Sequence, residues 1–556
     1  MRGGFVACLN GNSRALDRIV ECMRWHRGKP LRDHRDGLEI AAYVDDAEGP
    51  IVETQGGRTL LVHGAAPAPL AELQRRERRF AAIEWDGQRL RATRDPIGLA
   101  PLFHRAFGGG IWFSTEVQPL AALGSLAPDL EALTGQAAFV PSDARTGWQG
   151  IARVLAGSTL EIGPDRRAVS TGYWAPGELI GRYRGSRPEA LAEFRERFRT
   201  AVARCYEPGS GILVSGGLDS ALITRVAASM GRGLPRLVHV HFPDIPETHE
   251  QAYAGAVADA AGLPLRLASG DITPWDIGRE LAGWGGIPYS WLPYGMEEPA
   301  LAHLASEGAT VALDGHDGDG VLGPGGSVWG ALILGGEWRR LAALTRRHGA
   351  RQLLRGAAVD LVPPYAWLRR LAGRAPSRTY MQVVAGYFTP SFRSRILTGD
   401  IDRWAWPPRR WRMRQLRPLV PGSTISFEQK ELEAARYGID MRHPFADREL
   451  IEFLISLPPA LKDDPKRPKA LVLDSVGDLL PASLLQRRKS DYMAVVRRRV
   501  DPARCVSVIR DSGVRLAGLD YERLFADVST RSDAVPLFFL VNLARVHEFA
   551  RHAAEA

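Results

Sequence analysis

The first 175 residues alternate apolar and polar positions in short runs broken by turn signals: FVACLNG, LEIAAYV, TLLVHG, RFAAIEWDG, RLRATRD, IWFSTE and STLEIG. Runs this short predict a β-sandwich with few helices. Residues 176–187, PGELIGRYRGSR, are polar and contain Gly, Arg and Pro, and read as a linker. Pro188 then opens an apolar-periodic stretch to Tyr206 that predicts a helix. Beyond it the period switches back and forth: a strand at Gly211–Val214, a helix at Leu218–Met230, a strand at Leu237–Phe242, a helix at Glu250–Ala261, a strand at Leu265–Ala268 and, later, a strand at Thr310–Asp314. Strands separated by helices imply a parallel α/β sheet. The expected division is therefore 1–175, a linker with first helix over 176–205, and an α/β unit over 206–556.

Composition changes this picture in three places. Of the 72 basic residues only six are lysine (Lys29, Lys430, Lys462, Lys466, Lys469 and Lys489), so each lysine is worth following. Residues 331–420 hold 18 arginines against four acids, more than the chain's net charge of +9, and five of its fourteen tryptophans. That segment reads either as a groove for an anionic or peptide ligand or as arginine-rich helices with buried tryptophans. No recognisable nucleic-acid module accompanies it. The four cysteines lack a CxxC and are expected as buried thiols, neither zinc site nor disulfide framework. Apolar runs such as 534–541 fall short of the roughly 18 residues a membrane helix needs, and the start, MRGGFVACLNGN, lacks a signal-type apolar region. A cytoplasmic protein is expected.

The sharpest chemical signal is Val214-Ser215-Gly216-Gly217-Leu218-Asp219-Ser220, placed directly after an apolar strand and before an amphipathic helix. Two glycines let the backbone approach a pyrophosphate, two serines add hydroxyl donors, and the helix start offers free N–H groups and its positive dipole end. Asp219 would repel phosphate unless a cation intervened, which favours Mg2+ bridging the two. The loop is not GxxxxGK[ST], since the lysine is missing. The pattern SGGxDS resembles the PP-loop of ATP pyrophosphatases, which cleave ATP between its α- and β-phosphates.

A second loop, Leu313-Asp314-Gly315-His316-Asp317-Gly318-Asp319-Gly320-Val321-Leu322-Gly323, follows another predicted strand. Ligands of parallel α/β sheets bind at the carboxyl ends of strands, so the two loops could face one nucleotide. Downstream lie Gly438 to Asp447 (GIDMRHPFAD), Leu480-Pro481 and Arg487-Arg488-Lys489; upstream lie Arg94 to Gly98 (RDPIG), Pro101-Leu102-Phe103 and Phe113 to Val117 (FSTEV). In order and spacing these motifs resemble the asparagine synthetase family, which includes β-lactam synthetase and the lasso-peptide cyclases. The resemblance implies an N-terminal Ntn-hydrolase-like, glutaminase-type β-rich sandwich followed by a PP-loop parallel α/β synthetase domain with a helical C-terminal part. It implies that Val214 to Ser220 cradle pyrophosphate, that Asp219 and Asp319 hold Mg2+, that His239, Val240 and His241 approach the adenine, and that Gly315 is a further nucleotide-binding position. It makes Lys489 the catalytic lysine and Lys469 its phosphate-binding companion, ammonium groups suited to stabilising charge that develops on phosphate and carbonyl oxygens.

Two departures narrow the expectation. Glutamine-dependent members use an N-terminal cysteine nucleophile; residue 2 is Arg2, and Cys8 sits in a predicted strand. In asparagine synthetase a glutamate stands three residues before the metal-binding Asp, and in β-lactam synthetase a tyrosine; this chain has His316. A histidine could deprotonate an α-ammonium near neutral pH, and a structural or phosphate-contacting role stays equally open. The resemblance then implies a lasso-peptide cyclase that adenylates an Asp or Glu side chain of a core peptide and closes a macrolactam, with a leader peptidase and a leader-recognition protein as partners. A β-lactam synthetase-like or ammonia-dependent ligase, or a non-catalytic peptide- or nucleic-acid-binding protein, are the alternatives.

Overall fold

The computed structural model describes residues 3–555 apart from 24–28, 36, 45–50, 56, 77–78, 139–140, 271–295, 323–327, 335, 362–382, 394–415, 417–418, 420, 463, 465–466, 468, 486–489, 491–492 and 531–533. Its first antiparallel sheet runs β10 (Ile151–Arg153), β8 (Phe103–Phe107), β9 (Gly110–Ser114), β1 (Gly4–Leu9), β3 (Leu38–Tyr43) and β2 (Leu31–Arg35). Its second runs β12 (Ala168–Gly172), β11 (Ser158–Ile162), β7 (Leu90–Arg94), β6 (Ala81–Trp85), β5 (Arg58–His63) and β4 (Ile51–Gln55). Side chains alternate across each strand, so Phe5, Ala7 and Phe113 of one sheet meet Leu61, Ile83 and Leu160 of the other in a shared core. The opposite positions of β1, Val6 and Cys8, pack outward under Leu16 and Ile19 of the Ser13–Val20 helix.

Each β-run read from the periodicity is a strand. In these two sheets the strands the pattern missed are β2, β4, β8, β10 and β12. β2 (LRDHR) and β12 (AVSTG) are mostly or wholly exposed, so no apolar face imposed a two-residue period. They form because β3 and β11 each offered an unpaired row of backbone groups.

The third sheet has the order β15 (Leu265–Ser269), β14 (Arg236–His241), β13 (Gly211–Leu213), β16 (Val311–Leu313) and β17 (Asp440–Arg442), with every pairing parallel. The chain builds outward from β13 through β14 to β15, then returns to β13's other side with β16 and β17. The direction of winding reverses between β13 and β16, and a crevice opens where the connections leave in opposite directions. The two motif loops leave from these two strands.

The segment read as a linker is docked. The Gly181 N–H donates to the Ile455 carbonyl (3.4 Å) and the Tyr183 N–H to the Ser456 carbonyl (3.0 Å), while the Tyr183 ring meets Phe453 edge-on. Ser186 and Glu189 then form a capping box that starts the Arg187–Cys205 helix. Two of the four thiols also differ from expectation: Cys8 and Cys505 are buried, but Cys22 and Cys205 are half-buried. In the arginine-rich segment, helices Trp338–His348 and Ala350–Leu361 are described, and Trp338 is 62% exposed, against the buried reading. Trp367, Trp404, Trp406 and Trp411 lie outside the described residues. No described helix is long and apolar enough to cross a membrane.

Candidate active site

The glycine loop after β13 is folded by its own serines. The Ser215 N–H donates to the Ser220 Oγ (3.1 Å) and the Gly217 N–H to the Ser215 Oγ (3.2 Å). Gly216 adopts φ +75°, and a Cβ there would sit 2.9 Å from the Glu250 Cβ and 3.0 Å from its carbonyl oxygen. Only glycine fits. Gly216→Ala is expected to destabilise the fold by about 1–3 kcal/mol and to weaken ATP binding, both read from thermal unfolding with and without Mg-ATP. Gly217 begins the Leu218–Ser229 helix without a side-chain cap bond, leaving its first N–H groups available to an anion.

The second loop packs directly on the first. A Cβ on Gly315 would lie 3.0 Å from the Asp219 Cβ, and one on Gly318 only 2.5 Å from its carboxyl carbon. Both loop glycines are what allow Asp219 and Asp319 to converge on one cation, the Lys469 ammonium, at 2.6 and 2.8 Å. Burial alone would lower the Lys469 pKa, but the Asp219 and Asp319 carboxylates raise it above the ordinary lysine value. Lys469 itself takes a left-handed backbone, φ +56°, which a non-glycine residue adopts at a cost. Among the described residues no group of three or more His, Cys, Asp or Glu side chains could hold a metal ion. Two hard carboxylate donors suit Mg2+ when phosphate oxygens and water complete its shell.

A cavity of about 530 Å3 opens at this switch point. Ser215, Gly217, Asp219 and Ser220 line one part, Val238, Val240, Phe242 and Met296 give an apolar part, and Asp314, Gly315, His316 and Lys430 close another. His239 also lines it: its Nδ1 lies 2.7 Å from the Val214 carbonyl oxygen, burial pushes its pKa down, and its buried Nε2 meets no partner. Of the residues singled out from sequence, Val214, Val240, Gly315 and His316 therefore share this cavity with the glycine loop, whereas His241, Gly216, Leu218, Asp319 and Lys469 stand outside its wall. Lys489, with Arg487 and Arg488, lies outside the described residues.

His316 is held from several sides. Its Nε2 is 2.7 Å from the Ser426 Oγ, its backbone N–H donates to Asp314 Oδ1 (3.1 Å), and Phe427 packs edge-on against its ring. Burial and then the Lys430 ammonium push its pKa well below the usual histidine value, so it is neutral at pH 7. Asp314 accepts from His443 Nδ1 at 2.6 Å and pairs with Lys430 at 2.9 Å. Burial would raise the Asp314 pKa, yet Lys430 and His443 hold it well below the carboxylate range. Lys430, which also contacts both Glu297 oxygens at 2.6 Å, stands out in the sequence only as one of six rare lysines, with no site role attached to it. Its signal was available: a rare lysine midway along an acidic helix, two residues from one glutamate and one from the next.

Cys8, in β1, is buried, and desolvation raises its thiol far above the ordinary cysteine value. It is an unreactive core thiol.

Such a chamber belongs to an ATP-dependent ligase. The chain is a member of the asparagine synthase family, whose sequence profile matches residues 193–512, and it is an ATP-dependent carbon–nitrogen ligase. It is 32% identical over 418 residues to carboxyethyl-arginine beta-lactam-synthase of Streptomyces clavuligerus, covering 74% of this chain and 63% of that protein. Amidase chyE of Penicillium rubens is 23% identical over 468 residues, 74% of this chain and 69% of that protein. Asparagine synthetase [glutamine-hydrolyzing] 3 of Bacillus subtilis is 23% identical over 462 residues, with 74% and 66% covered. Among solved structures, a B. subtilis glutamine phosphoribosylpyrophosphate amidotransferase complexed with ADP and GMP covers 56% of this chain and 81% of that one at 11% identity and a TM-score of 0.23, too low to bear on the fold.

Proposed function

We propose that this ligase is a lasso-peptide cyclase. It adenylates an Asp or Glu side chain within a leaderless core peptide and joins that acyl group to the peptide's own α-amine, giving a macrolactam, AMP and pyrophosphate. The observation that carries the reading is that the glycine loop and neutral His316 line one cavity of about 530 Å3, while the strand cysteine Cys8 is sealed in the core. An activated carboxylate and an amine delivered on one substrate would meet there as an intramolecular pair, replacing capture of free ammonia with effective molarity. A relative at 32% identity is named for making a lactam, which supports ring closure.

In this reading the substrate carboxylate attacks the α-phosphorus and pyrophosphate leaves. Ser215, Gly217 and Ser220 bind the departing phosphates, with Asp219 and Asp319 as the residues that would hold Mg2+. When bound, the ion neutralises charge developing on those oxygens. His316 then takes a proton as the α-amine attacks the acyl carbon and AMP leaves. Lys489 and Lys469 would stabilise the oxyanions of the two steps. The β-rich unit is a glutaminase-type, Ntn-hydrolase-like domain whose Cys8 is buried within a strand. A leader peptidase and a leader-recognition protein would supply the peptide in the cytoplasm.

A second reading, a β-lactam synthetase-like or ammonia-dependent asparagine synthetase-like enzyme acting on a small amino acid, draws on the 32% and 23% identities to those relatives. Mass analysis separates the readings. The purified protein is mixed with Mg-ATP and either the leaderless peptide encoded beside its gene or aspartate plus ammonia. AMP with a peptide lighter by one water is the expected result. AMP with asparagine, and an unchanged peptide, would replace the cyclase reading with an ammonia-dependent synthetase.

A further inference from the structure

The Pro421–Ala435 helix lies between the β-rich unit and the ligase cavity, and its side chains divide between them. Ile425, Glu428 and Leu432, spaced three and four apart, form one stripe. Ile425 and Leu432 join the core under the first sheet. Glu428, fully buried, receives the Arg153 guanidinium at 3.0 Å and Arg94 at 3.5 Å. Both arginines are at most 3% exposed, and each is tied to backbone carbonyls of its own unit: Arg94 donates to Ala100 (2.8 Å) and Gly98 (2.6 Å), Arg153 to Arg145 (2.6 Å). The Asp95 carboxylate in turn accepts four backbone N–H groups from Ile97 to Ala100, which fixes the RDPIG turn that Arg94 grips.

The helix's other stripe carries the contacts to the cavity. Ser426 bonds His316, Phe427 packs on the His316 and His443 rings, and Lys430 pairs with Asp314. Glu428 stands two residues from Ser426 and two from Lys430 on the same rigid element, so its anchorage sets where both fall. An ion pair this buried has a defined geometry and holds it against solvent competition.

We propose that the β-rich unit, through Arg94 and Arg153 on Glu428, positions the helix that aligns His316, and so governs the amide-forming half of the reaction and not adenylation. Arg153 is a positioning residue: it touches neither substrate nor nucleotide and acts through Glu428 and Ser426. The β-rich unit thereby acts as the template for the base. The inference rests on His316 being that base and is independent of which amine is the substrate.

The test uses the full chain with Mg-ATP and the substrate pair that releases AMP, and reads amide formed per AMP released. In Arg153→Met this ratio is expected to fall about tenfold, because a base misplaced by a fraction of an ångström loses proton transfer, while the KM for ATP stays within about twofold. Arg153→Lys, which keeps the charge and a single prong, is expected to recover part of the ratio and serves if the methionine variant does not fold. An unchanged ratio in a folded variant overturns the positioning role, as does a parallel fall of AMP and amide. His316→Ala in the same assay keeps the two ideas apart: if it leaves the ratio intact, the base assignment is wrong, whatever Arg153 does.

Discussion

Asp219→Asn is expected to remove AMP and pyrophosphate release by about a thousandfold or more, since it deletes a charge aimed at the centre of phosphoryl displacement. The substitution keeps the shape of the side chain and loses its charge. Asp219 contacts Lys469 through both oxygens at 2.6 Å, and Asp319, 63% exposed, is the other acid on that ammonium. Losing Asp219 therefore also weakens the neutralisation of a largely buried lysine, at a cost of about 1–3 kcal/mol. The two effects are separable: a pyrophosphate-release assay reads the chemistry, and thermal unfolding without nucleotide reads the ion pair. A folded Asp219→Asn protein that made AMP at the wild-type rate would refute the role of the glycine loop and its acid.

The second large effect concerns proton transfer. His316→Ala is expected to abolish amide formation while leaving adenylation, so that AMP accumulates by hydrolysis without product. The loss should be about a hundredfold or more, the usual worth of a positioned base. The sign of the pH dependence follows from the lowered pKa. Buried beside Lys430, His316 stays neutral below the ordinary histidine value of 6.5, so the amide-forming rate should hold as pH falls through 6.5 and decline only further into acid. In Lys430→Met that cation is gone, and the acid limb should move up toward 6.5. The same group affects stability. An unfolded chain takes up a proton at His316 that the native state refuses, so folding stability is lost as pH falls below about 6.5. Wild-type product yield from His316→Ala would leave the amine to be deprotonated elsewhere.

Much of this was legible along the chain because the physics is local. Val6, Cys8 and Trp112 alternate with Phe5, Ala7 and Phe113, and the alternation alone places two faces on a strand. The glycine loop could be read because φ +75° at Gly216 and the uncapped helix start after it are written in neighbouring residues. What could not be read was long-range. Glu428 finds Arg153, 275 positions away, and Lys430 finds Glu297, 133 positions away. An acidic, lysine-bearing stretch looks like a solvated face until tertiary packing buries it. β17 is three residues long and exists because β16 offers it a partner. The docked linker reads as free chain because its bonds to Ile455 and Ser456 use backbone, which carries no sequence signature.

The charged edge of the first sheet also bears on how this protein reaches its fold. β1 pairs with β9 across about a hundred residues, Leu9 against Ile111, so the centre of that sheet closes only after a long loop has been ordered. Until then, partly formed sheets present unpaired backbone to any neighbouring chain. The outermost strand, β2, meets that hazard with Arg32, Asp33, His34 and Arg35, side chains that must shed water and face like charges before a second copy can add to the edge. A strand with almost no apolar pattern thus shields one edge of a sheet whose centre closes late.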